Sequence, residues 1–394
     1  MNNTDKYFWI TLLQNCSFMS PVMTLFYIHR GLQFSDIFLL LLAIVISMFI
    51  FEIPTGIFGD KYGRRNSIII GLFLMIVISV LIVFAHSLLF FLFIMILLGL
   101  AVTFSSGSDE ALIYDSLKEE GKEKEMNKYM SKINSARFMP LILTAPIGAI
   151  IAKDLTENQF VILLILGIIV SLSAFIVGLT LKETTYHKNA KKDSPIKLFK
   201  SSFVQIKTSP IILRLFMNKT LVLIVCSHVF GVLWQPYLQK SGVPIALFGI
   251  LVAVSALIIS YLNHKITSIQ TVISTKKILF LTALLSFIVF LVGAYVQNIY
   301  YAILFYLVIE ILLWVRDPLF SQYLNEHIES HNRATVLSSL SMVDSFFDII
   351  IFLGVGYIAN VGLNYSFLFC AGILLIAMLF FRIEDKHIIM RAKS

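Results

Sequence analysis

Long runs of apolar residues recur along the whole chain, and short polar segments separate them. Each run is about 20 residues long, which is the length an α-helix needs to cross a hydrocarbon core of roughly 30 Å. The pattern predicts twelve transmembrane helices, near residues 7–28, 34–58, 66–85, 88–117, 127–152, 158–181, 211–239, 244–264, 277–297, 299–325, 334–360 and 363–383. The predicted fold class is therefore an all-α membrane protein.

The composition leads to the same class. Of the 394 residues, 58% are hydrophobic and 14% are charged, and the mean hydropathy is +0.88. A chain of this kind has too little polar surface to cover a water-soluble globule. The chain is expected to be an integral membrane protein.

Basic residues are distributed unevenly between the predicted loops. Of the 31 Lys and Arg, the odd-numbered loops contain Arg30, Lys153 and Lys240, and most of the others lie in the termini and the even-numbered loops. Basic loops stay on the cytoplasmic side, so both termini are predicted to be cytoplasmic. This asymmetry explains the net charge of +8, and no nucleic-acid partner is expected.

The longest polar interval, 182–210, contains seven lysines and separates six spans from six. We predict an N-terminal six-helix bundle over 1–181, a cytoplasmic linker over 182–210 and a C-terminal six-helix bundle over 211–394. An offset of 207 residues aligns the halves, and it places 20–22 on 227–229. Parallel repeats of six spans imply two bundles with pseudo-two-fold symmetry that face a central cavity.

A specific motif, TGIFGDKYGRRN, lies between the second and third spans. Its spacing is G-x-x-x-D-[RK]-x-G-[RK]-[RK], and its defined positions are Gly56, Asp60, Lys61, Gly63, Arg64 and Arg65. The motif resembles the loop 2–3 signature of the major facilitator superfamily. The whole chain, with FEIPTG and SGSDEALIYD, looks like the bacterial drug-efflux-like (drug:proton antiporter) branch. The resemblance implies two bundles that rock about a midplane substrate site, in the cytoplasmic (inner) membrane of a bacterium.

The residue types in this motif have physical roles of their own. Gly56 and Gly63 permit close helix approach and a tight turn. Asp60 can accept hydrogen bonds from the N-terminus of a helix in the other bundle, expected to be the eleventh, which begins near Arg333. In the family, this contact latches the inner gate shut.

Arg64 needs an acidic partner, and Asp115 at the end of the fourth span is the predicted one. That pair would complete the family's gating network with Asp60. The alternative is that the basic residues of the motif only anchor the loop on the inner side.

Asp115 belongs to an acidic segment, SGSDEALIYD, inside the predicted fourth span. Successive helical residues turn by about 100°, so Asp109, Glu110 and Asp115 point in different directions and cannot share one metal ion. No metal and no cofactor are predicted. Either Asp109 or Glu110 is expected to pair with Arg137 on the antiparallel fifth span, because a lone charge at membrane depth is costly.

The 207-residue offset supplies a second pair with the signs exchanged, Arg316 with Asp344. Two such pairs favour structural ion pairs, and the alternative is that one member becomes free for proton chemistry. Glu310, midway along the tenth span, and Asp348, on the same helix face as Asp344, have no evident partner. A desolvated carboxylate can exchange a proton near neutral pH, so both are candidates for proton coupling. Helix packing is the alternative for Glu310.

The first, fourth, seventh and tenth spans are expected to face the cavity. Their methionines, aromatic residues and few polar groups suit amphiphilic cargo, and the surplus of carboxylates favours cations. The candidate cavity residues are Gln14, Asn15, Met19, Met23, Tyr27, His228, Trp234, Tyr306 and Trp314. Each of them could equally be a packing residue.

These features predict a proton-coupled secondary transporter that works by alternating access and exports amphiphilic, preferentially cationic small molecules. Its expected partners are a small-molecule substrate, protons and membrane lipids, and a monomer is expected. The sequence contains no nucleotide-binding loop and no catalytic motif, so an enzyme is not predicted. A nutrient or metabolite:proton symporter and an exporter of a lipid-like metabolite remain alternatives.

Overall fold

A computed structural model of the chain describes residues 2–184, 210–272, 274–327 and 333–383. Within these ranges the regular secondary structure is helical, with no strand. The helices before residue 184 are α1 (Asn3–Gln14), α2 (Met23–His29), α3 (Phe34–Tyr62), α4 (Arg64–Leu81), α5 (Leu88–Ser105), α6 (Ser108–Glu119), α7 (Met126–Phe138), α8 (Leu141–Ile151) and α9 (Glu157–Leu179).

The described residues after 209 continue the helical pattern. The helices are α10 (Pro210–Leu223), a π-helix (Ile224–Val229), α11 (Phe230–Lys240), α12 (Ile245–Val272), α13 (Thr275–Gly293), α14 (Ile299–His327), α15 (Arg333–Val361) and α16 (Leu363–Phe380). The π-helix joins α10 to α11 without a break, so these three elements form one long helical segment.

The chain forms two compact units. The first contains residues 1–191 together with 244–256, and the second contains 192–243 together with 257–394. The first turns of α12 thus belong to the first unit. Residues 185–209 of the predicted linker lie outside the described residues, and the predicted boundaries at 181 and 211 stay predictions.

Eleven helical segments of the described part are long and apolar enough to cross a membrane. The predicted first span is absent from this set because it is interrupted between α1 and α2. Residues 15–22 leave the helix near Pro21, which lacks a backbone N–H and disfavours helical geometry at the residue before it. The Asn15 side chain folds back and donates to the carbonyl of Thr11 at 2.8 Å.

Close packing of the interrupted segment requires a glycine. A Cβ added at Gly148 of α8 would collide with the carbonyl oxygen of Phe18. A Cβ added at Gly249 would likewise collide with the backbone at Ala145 and Pro146. These contacts give the small residues of the fifth predicted span a packing role, since lipid offers little hydrophobic drive for helix association.

The predicted fourth span is also interrupted, contrary to the expectation of one helix over 88–117. α5 ends at Ser105, and Gly107 has φ +73° in the left-handed region before α6 begins at Ser108. Glycine adopts this conformation without the steric cost that a Cβ would add. The acidic segment therefore lies at the start of a helix and not in the middle of one.

Polar contacts tie helix ends together at the opposite end of the first unit. Arg30 is buried, donates to the carbonyl of Ala85 at 2.7 Å and pairs with Glu157 at the start of α9. His29 lies 3.2 Å from the same carboxylate. Arg30 thereby connects the end of α2, the segment between α4 and α5, and α9.

In the second unit, aromatic rings fill the interior beside α11. Tyr237, Phe290, Phe305 and Phe367 are buried, and their ring centroids lie 5.0–5.8 Å apart in edge-to-face pairs. Such pairs add about 0.5–1.5 kcal/mol each beyond the area they bury. The Tyr237 hydroxyl donates to the carbonyl of Val296 at 2.6 Å, so its polar end is satisfied.

Candidate functional site

The motif loop is a sharp junction between α3 and α4. Gly63 has φ +101°, and the backbone N–H groups of Arg64 and Arg65 donate to the carboxylate of Glu183 at 3.1 and 3.0 Å. A carboxylate at a helix N-terminus satisfies donors that have no partner within the helix and complements the helix dipole. Sequence reasoning missed Glu183. Its only signal was an acidic residue directly after the sixth span.

The structure brings Arg64 and Asp115 together. Arg64 Nη1 donates to Asp115 Oδ2, and both side chains are largely buried, at 22% and 10% exposure. Arg65 instead donates from Nε to the carbonyl of Leu181 at 2.6 Å and from Nη2 to that of Leu179 at 3.0 Å. The two arginines thus fix α4 to α6 and to the end of α9.

The N-terminus extends this network. Asn3 donates to Ser116 Oγ and to the carbonyl of Lys182, both at 2.8 Å, and its own side-chain oxygen accepts from the Lys182 N–H at 2.9 Å. Lys6 also donates to the carbonyl of Thr180 at 2.5 Å. Residues 180–183 are therefore held from both sides, a feature that no sequence pattern indicated.

The remaining motif residues differ in their surroundings. Asp60 is exposed at the end of α3, and the Lys61 ammonium lies 5.1 Å from the centroid of the Tyr62 ring. The expected contact of Asp60 with the eleventh span would involve both units and stays a prediction. The close approach expected at Gly56 does not occur among the described residues, since none of their atoms lies within 4 Å of a Cβ built there. The close approach occurs at Gly59, where the built Cβ lies 2.9 Å from Ser108 Oγ.

Asp109 and Glu110 occupy the first turn of α6. This position favours negative charge because the helix N-terminus is positive. Asp109 Oδ2 accepts from the hydroxyl of the buried Tyr7 at 2.9 Å, and its Oδ1 accepts from the Glu110 N–H at 2.8 Å. Neither carboxylate forms an ion pair with Arg137 in the described part of the chain, which corrects the sequence prediction. Glu110 and Arg137 are exposed side chains.

Arg316 and Asp344 do not form the predicted ion pair either. Arg316 is buried, donates to the Leu279 carbonyl at 2.5 Å and to Thr282 Oγ1 at 2.6 Å, and reaches Asn218 Oδ1 at 2.7 Å. Asp344 accepts from the hydroxyl of Thr220. The weak 207-residue alignment placed the two residues on neighbouring helices, but it could not specify the direction of their side chains.

Three carboxylates of the second unit lie within candidate membrane spans. Asp344 and Asp348 are one helical turn apart on α15, and Glu310 lies on α14. Asp348 Oδ1 is 2.7 Å from His228 Nδ1, and the Trp314 indole is the hydrogen-bond partner of Glu310. Within the described residues these carboxylates are held by Thr220, His228 and Trp314, and none of them pairs with an arginine.

The candidate cavity residues are divided between the two units. Gln14 and Asn15 end α1, Met19 is buried in the interrupted segment, and Met23 begins α2. Tyr27 packs edge-to-face on Phe91 at 5.4 Å, which is a packing role.

The cavity candidates of the second unit lie along the seventh and tenth predicted spans. His228 is in the π-helix, and Trp234 and Tyr306 are buried with ring centroids 4.7 Å apart. Trp314 lies one turn after Glu310 on α14. Among the described residues, no group of three or more His, Cys, Asp or Glu side chains could hold a metal ion.

Comparison with known proteins agrees with the helical fold and the motif. The family model of the Major Facilitator Superfamily matches residues 8–308. An uncharacterized MFS-type transporter, YxaM of Bacillus subtilis (strain 168), is 26% identical over 382 residues, covering 93% of this chain and 92% of that protein. The chain therefore belongs to the Major Facilitator Superfamily.

Solved structures show the same fold. The crystal structure of the nucleoside transporter NupG has a TM-score of 0.79 at 13% identity, covering 99% of this chain and 100% of that chain. The D-xylose-proton symporter has a TM-score of 0.74 at 15% identity and covers 98% of each chain. The protein is thus a membrane-spanning transporter, and its family and fold indicate no enzymatic activity.

Proposed function

We propose that the chain is a proton-coupled secondary transporter that exports amphiphilic, preferentially cationic small molecules by alternating access. The observation that supports this most directly is the presence, in the second unit, of carboxylates whose hydrogen-bond partners are not arginines. Asp344, Asp348 and Glu310 lie within candidate spans and accept hydrogen bonds from a hydroxyl, an imidazole and an indole. Carboxylates inside a membrane are costly, and in transporters they mark ion pathways and proton relays.

The partners of Arg316 explain why these carboxylates can change their charge. This buried guanidinium is satisfied by Asn218, Thr282 and the Leu279 carbonyl, and it pairs with no carboxylate of the described residues. A carboxylate that has only neutral or titratable partners can change its charge without leaving a buried arginine unpaired. The acids are therefore suited to exchanging a proton, or to attracting a cation, as solvent access alternates.

The motif network belongs to the same proposal. Arg64, Asp115 and Glu183 hold the loop between α3 and α4 in one arrangement. We propose that this arrangement presents Asp60 to the eleventh span when the inner side is closed, with both termini in the cytoplasm of a bacterial cell. The lysine-rich even-numbered loops support this orientation.

The test is uptake of a fluorescent lipophilic cation into proteoliposomes that contain the purified full chain. An imposed pH gradient, its reversal and a no-gradient control are compared, with Glu310→Gln and Asp60→Asn at matched protein content. Accumulation that requires a proton gradient in the opposite direction supports cation:proton antiport. No movement of the cation under any gradient, by folded protein, would refute the cationic export proposal and favour a metabolite:proton symporter.

A further inference from the structure

This inference rests on the proposed proton coupling and concerns which side chains bind the proton. The seventh predicted span contains a π-helix at Ile224–Val229. π-Helical turns are rare and occur frequently at functional sites, because the extra residue in the turn redirects the side chains around it. His228 lies in this turn, and its ring faces α15.

The first predicted span is irregular at the corresponding place. The 207-residue offset aligns 20–22 with 227–229, and residues 15–22 are the segment that leaves the helix between α1 and α2. Irregular backbone at matching positions of two repeats indicates the binding region of a transporter. The π-helix is therefore the position in the second unit where a transported species is expected to bind.

His228 and Asp348 form a hydrogen-bonded pair at this position. His228 Nδ1 lies 2.7 Å from Asp348 Oδ1, and the His228 ring packs edge-to-face on Phe352 at 5.9 Å. An ionised carboxylate only accepts hydrogen bonds, so Nδ1 carries the hydrogen and Nε2 of the neutral ring has a free lone pair. The Asp348 side chain is 6% exposed, whereas the His228 side chain is 37% exposed. The ring is thus the accessible member of the pair.

The charges around the pair are nearly balanced. From the helix that carries His228, Lys219 lies near Asp344, and from α15, Asp344 and Asp348 lie near one another and near the imidazole. Among the residues that the structure describes, a neutral His228, two ionised carboxylates and the Lys219 ammonium sum to one negative charge. One added proton makes the cluster neutral, which is favourable where water is scarce.

Other titratable groups near the π-helix belong to a different side of it. Cys226 interacts with Ser286 and lies near groups on α14 and α16, and these groups are Glu310, Arg316 and Cys370. His228 and Cys226 therefore face different neighbours. Among the described residues, the charged groups on the His228 side are Lys219, Asp344 and Asp348.

We propose that His228 and Asp348 together form the proton-binding site of the transporter, with the proton added at Nε2 of His228. The neutral imidazole becomes an imidazolium, Asp348 stays ionised, and Nδ1–H remains donated to Oδ1. The charge of the cluster changes from minus one to zero, and the proton leaves again from Nε2. Glu310, on the other side of the π-helix, does not participate in this step.

The pair is tested by NMR on the purified full chain with ¹⁵N-labelled histidine rings. The chain contains eight histidines, and the His228 signals are identified by their loss in His228→Gln. We expect a neutral ring with hydrogen at Nδ1 that gains its second proton at Nε2 as the pH is lowered through the range in which the protein stays folded. Asp348→Asn should reduce the proton affinity of this ring at least about tenfold, because the opposite charge is removed. Glu125→Gln, at a partly exposed carboxylate of the first unit, should leave it unchanged.

A His228 ring that stays in one protonation state across this range, or that titrates identically in Asp348→Asn, would overturn the inference. The wild-type tautomer is measured without any substitution, so a variant that fails to fold does not remove the test. In proteoliposomes, His228→Gln should exchange the lipophilic cation at equal concentrations but should no longer accumulate it in response to a pH gradient. Gradient-driven accumulation equal to wild type in His228→Gln would also overturn it. If the wild type moves no cation while Asp348→Asn still alters the ring titration, the export proposal fails and the proton-binding pair stands.

Discussion

The missing side chain of Gly63 provides the space for the carboxylate of Glu183. A Cβ added at Gly63 would collide with Glu183 Oε2, and φ of +101° at this residue already favours glycine. The same carboxylate accepts from the first two N–H groups of α4. The motif glycine therefore has two functions, because it turns the chain and admits an acidic cap from the end of the sixth span.

Gly63→Ala should destabilise the folded protein by about 1–3 kcal/mol, from backbone strain and a displaced helix cap. Gly56→Ala is the matched control, since Gly56 lies inside α3 and no atom of the described part of the chain lies within 4 Å of the added Cβ. Alanine at this helical position should be neutral or stabilising by up to about 1 kcal/mol. Thermal unfolding of the detergent-purified variants measures both. Equal melting temperatures for the two variants would contradict the proposed role of Gly63 in admitting Glu183 as the cap of α4.

The Arg64–Asp115 ion pair should show energetic coupling in a double-mutant cycle. Arg64→Gln and Asp115→Asn each leave a largely buried partner uncompensated, so we expect a coupling energy of about 1–3 kcal/mol. The control cycle uses Lys128 and Glu125, where the lysine side chain is 78% exposed, and should give less than about 0.5 kcal/mol. Both cycles are measured by unfolding at the same pH and salt. A coupling as small as that of the control pair would show that the ion pair is not stabilising.

The sequence predicted the membrane class, the helical fold and the Arg64–Asp115 pairing because these depend on hydrophobic runs and on one motif of fixed spacing. The predictions from the sequence were wrong where the backbone departs from a regular helix. The interruption at Gly107 placed Asp109 at a helix start, and the interruption before Pro21 divided the first span. A glycine or a proline in an apolar run does not by itself reveal whether the helix bends, breaks or continues.

The predicted ion pairs of the fourth and tenth spans were wrong for a related reason. Matching depth on neighbouring helices is necessary for a pair, but the rotation of each helix about its axis decides which side chains meet. Arg316 forms hydrogen bonds with Asn218 and Thr282, and Asp109 accepts a hydrogen bond from Tyr7. Neutral partners of this kind carry no charge signature, so sequence reasoning that searched for opposite charges overlooked them.

Tyr7→Phe should be more damaging than Arg137→Gln, although the sequence predicted an ion pair at Arg137 and no contact at Tyr7. Tyr7 donates to Asp109 inside the core of the first unit, and a hydrogen bond to a charged group contributes about 1.5–3 kcal/mol. Arg137 is exposed and forms no ion pair with Asp109 or Glu110 among the described residues, so its loss should cost less than about 0.5 kcal/mol. The melting temperatures of the two variants show which substitution is more destabilising. A larger effect at Arg137 would restore the predicted ion pair.

Arg316 should couple energetically to Asn218 and not to Asp344. Its guanidinium lies 2.7 Å from Asn218 Oδ1, and the Asn218 amide donates to the carbonyl of Phe381 at 3.1 Å, so the two residues connect α14, α10 and the end of α16. Arg316→Gln leaves buried acceptors unsatisfied and should cost at least about 1–3 kcal/mol. Asn218→Leu should cost much less in that background than in the wild type.

The matched second cycle combines Arg316→Gln with Asp344→Asn, a variant that can keep the hydrogen bond from Thr220. We expect its effects to add within about 0.5 kcal/mol, because the two side chains share no partner. Unfolding of the four variants and the wild type gives both coupling energies. A strong coupling between Arg316 and Asp344 would mean that the arginine neutralises this carboxylate, and it would remove the reason for regarding the acids of the second unit as available to a proton.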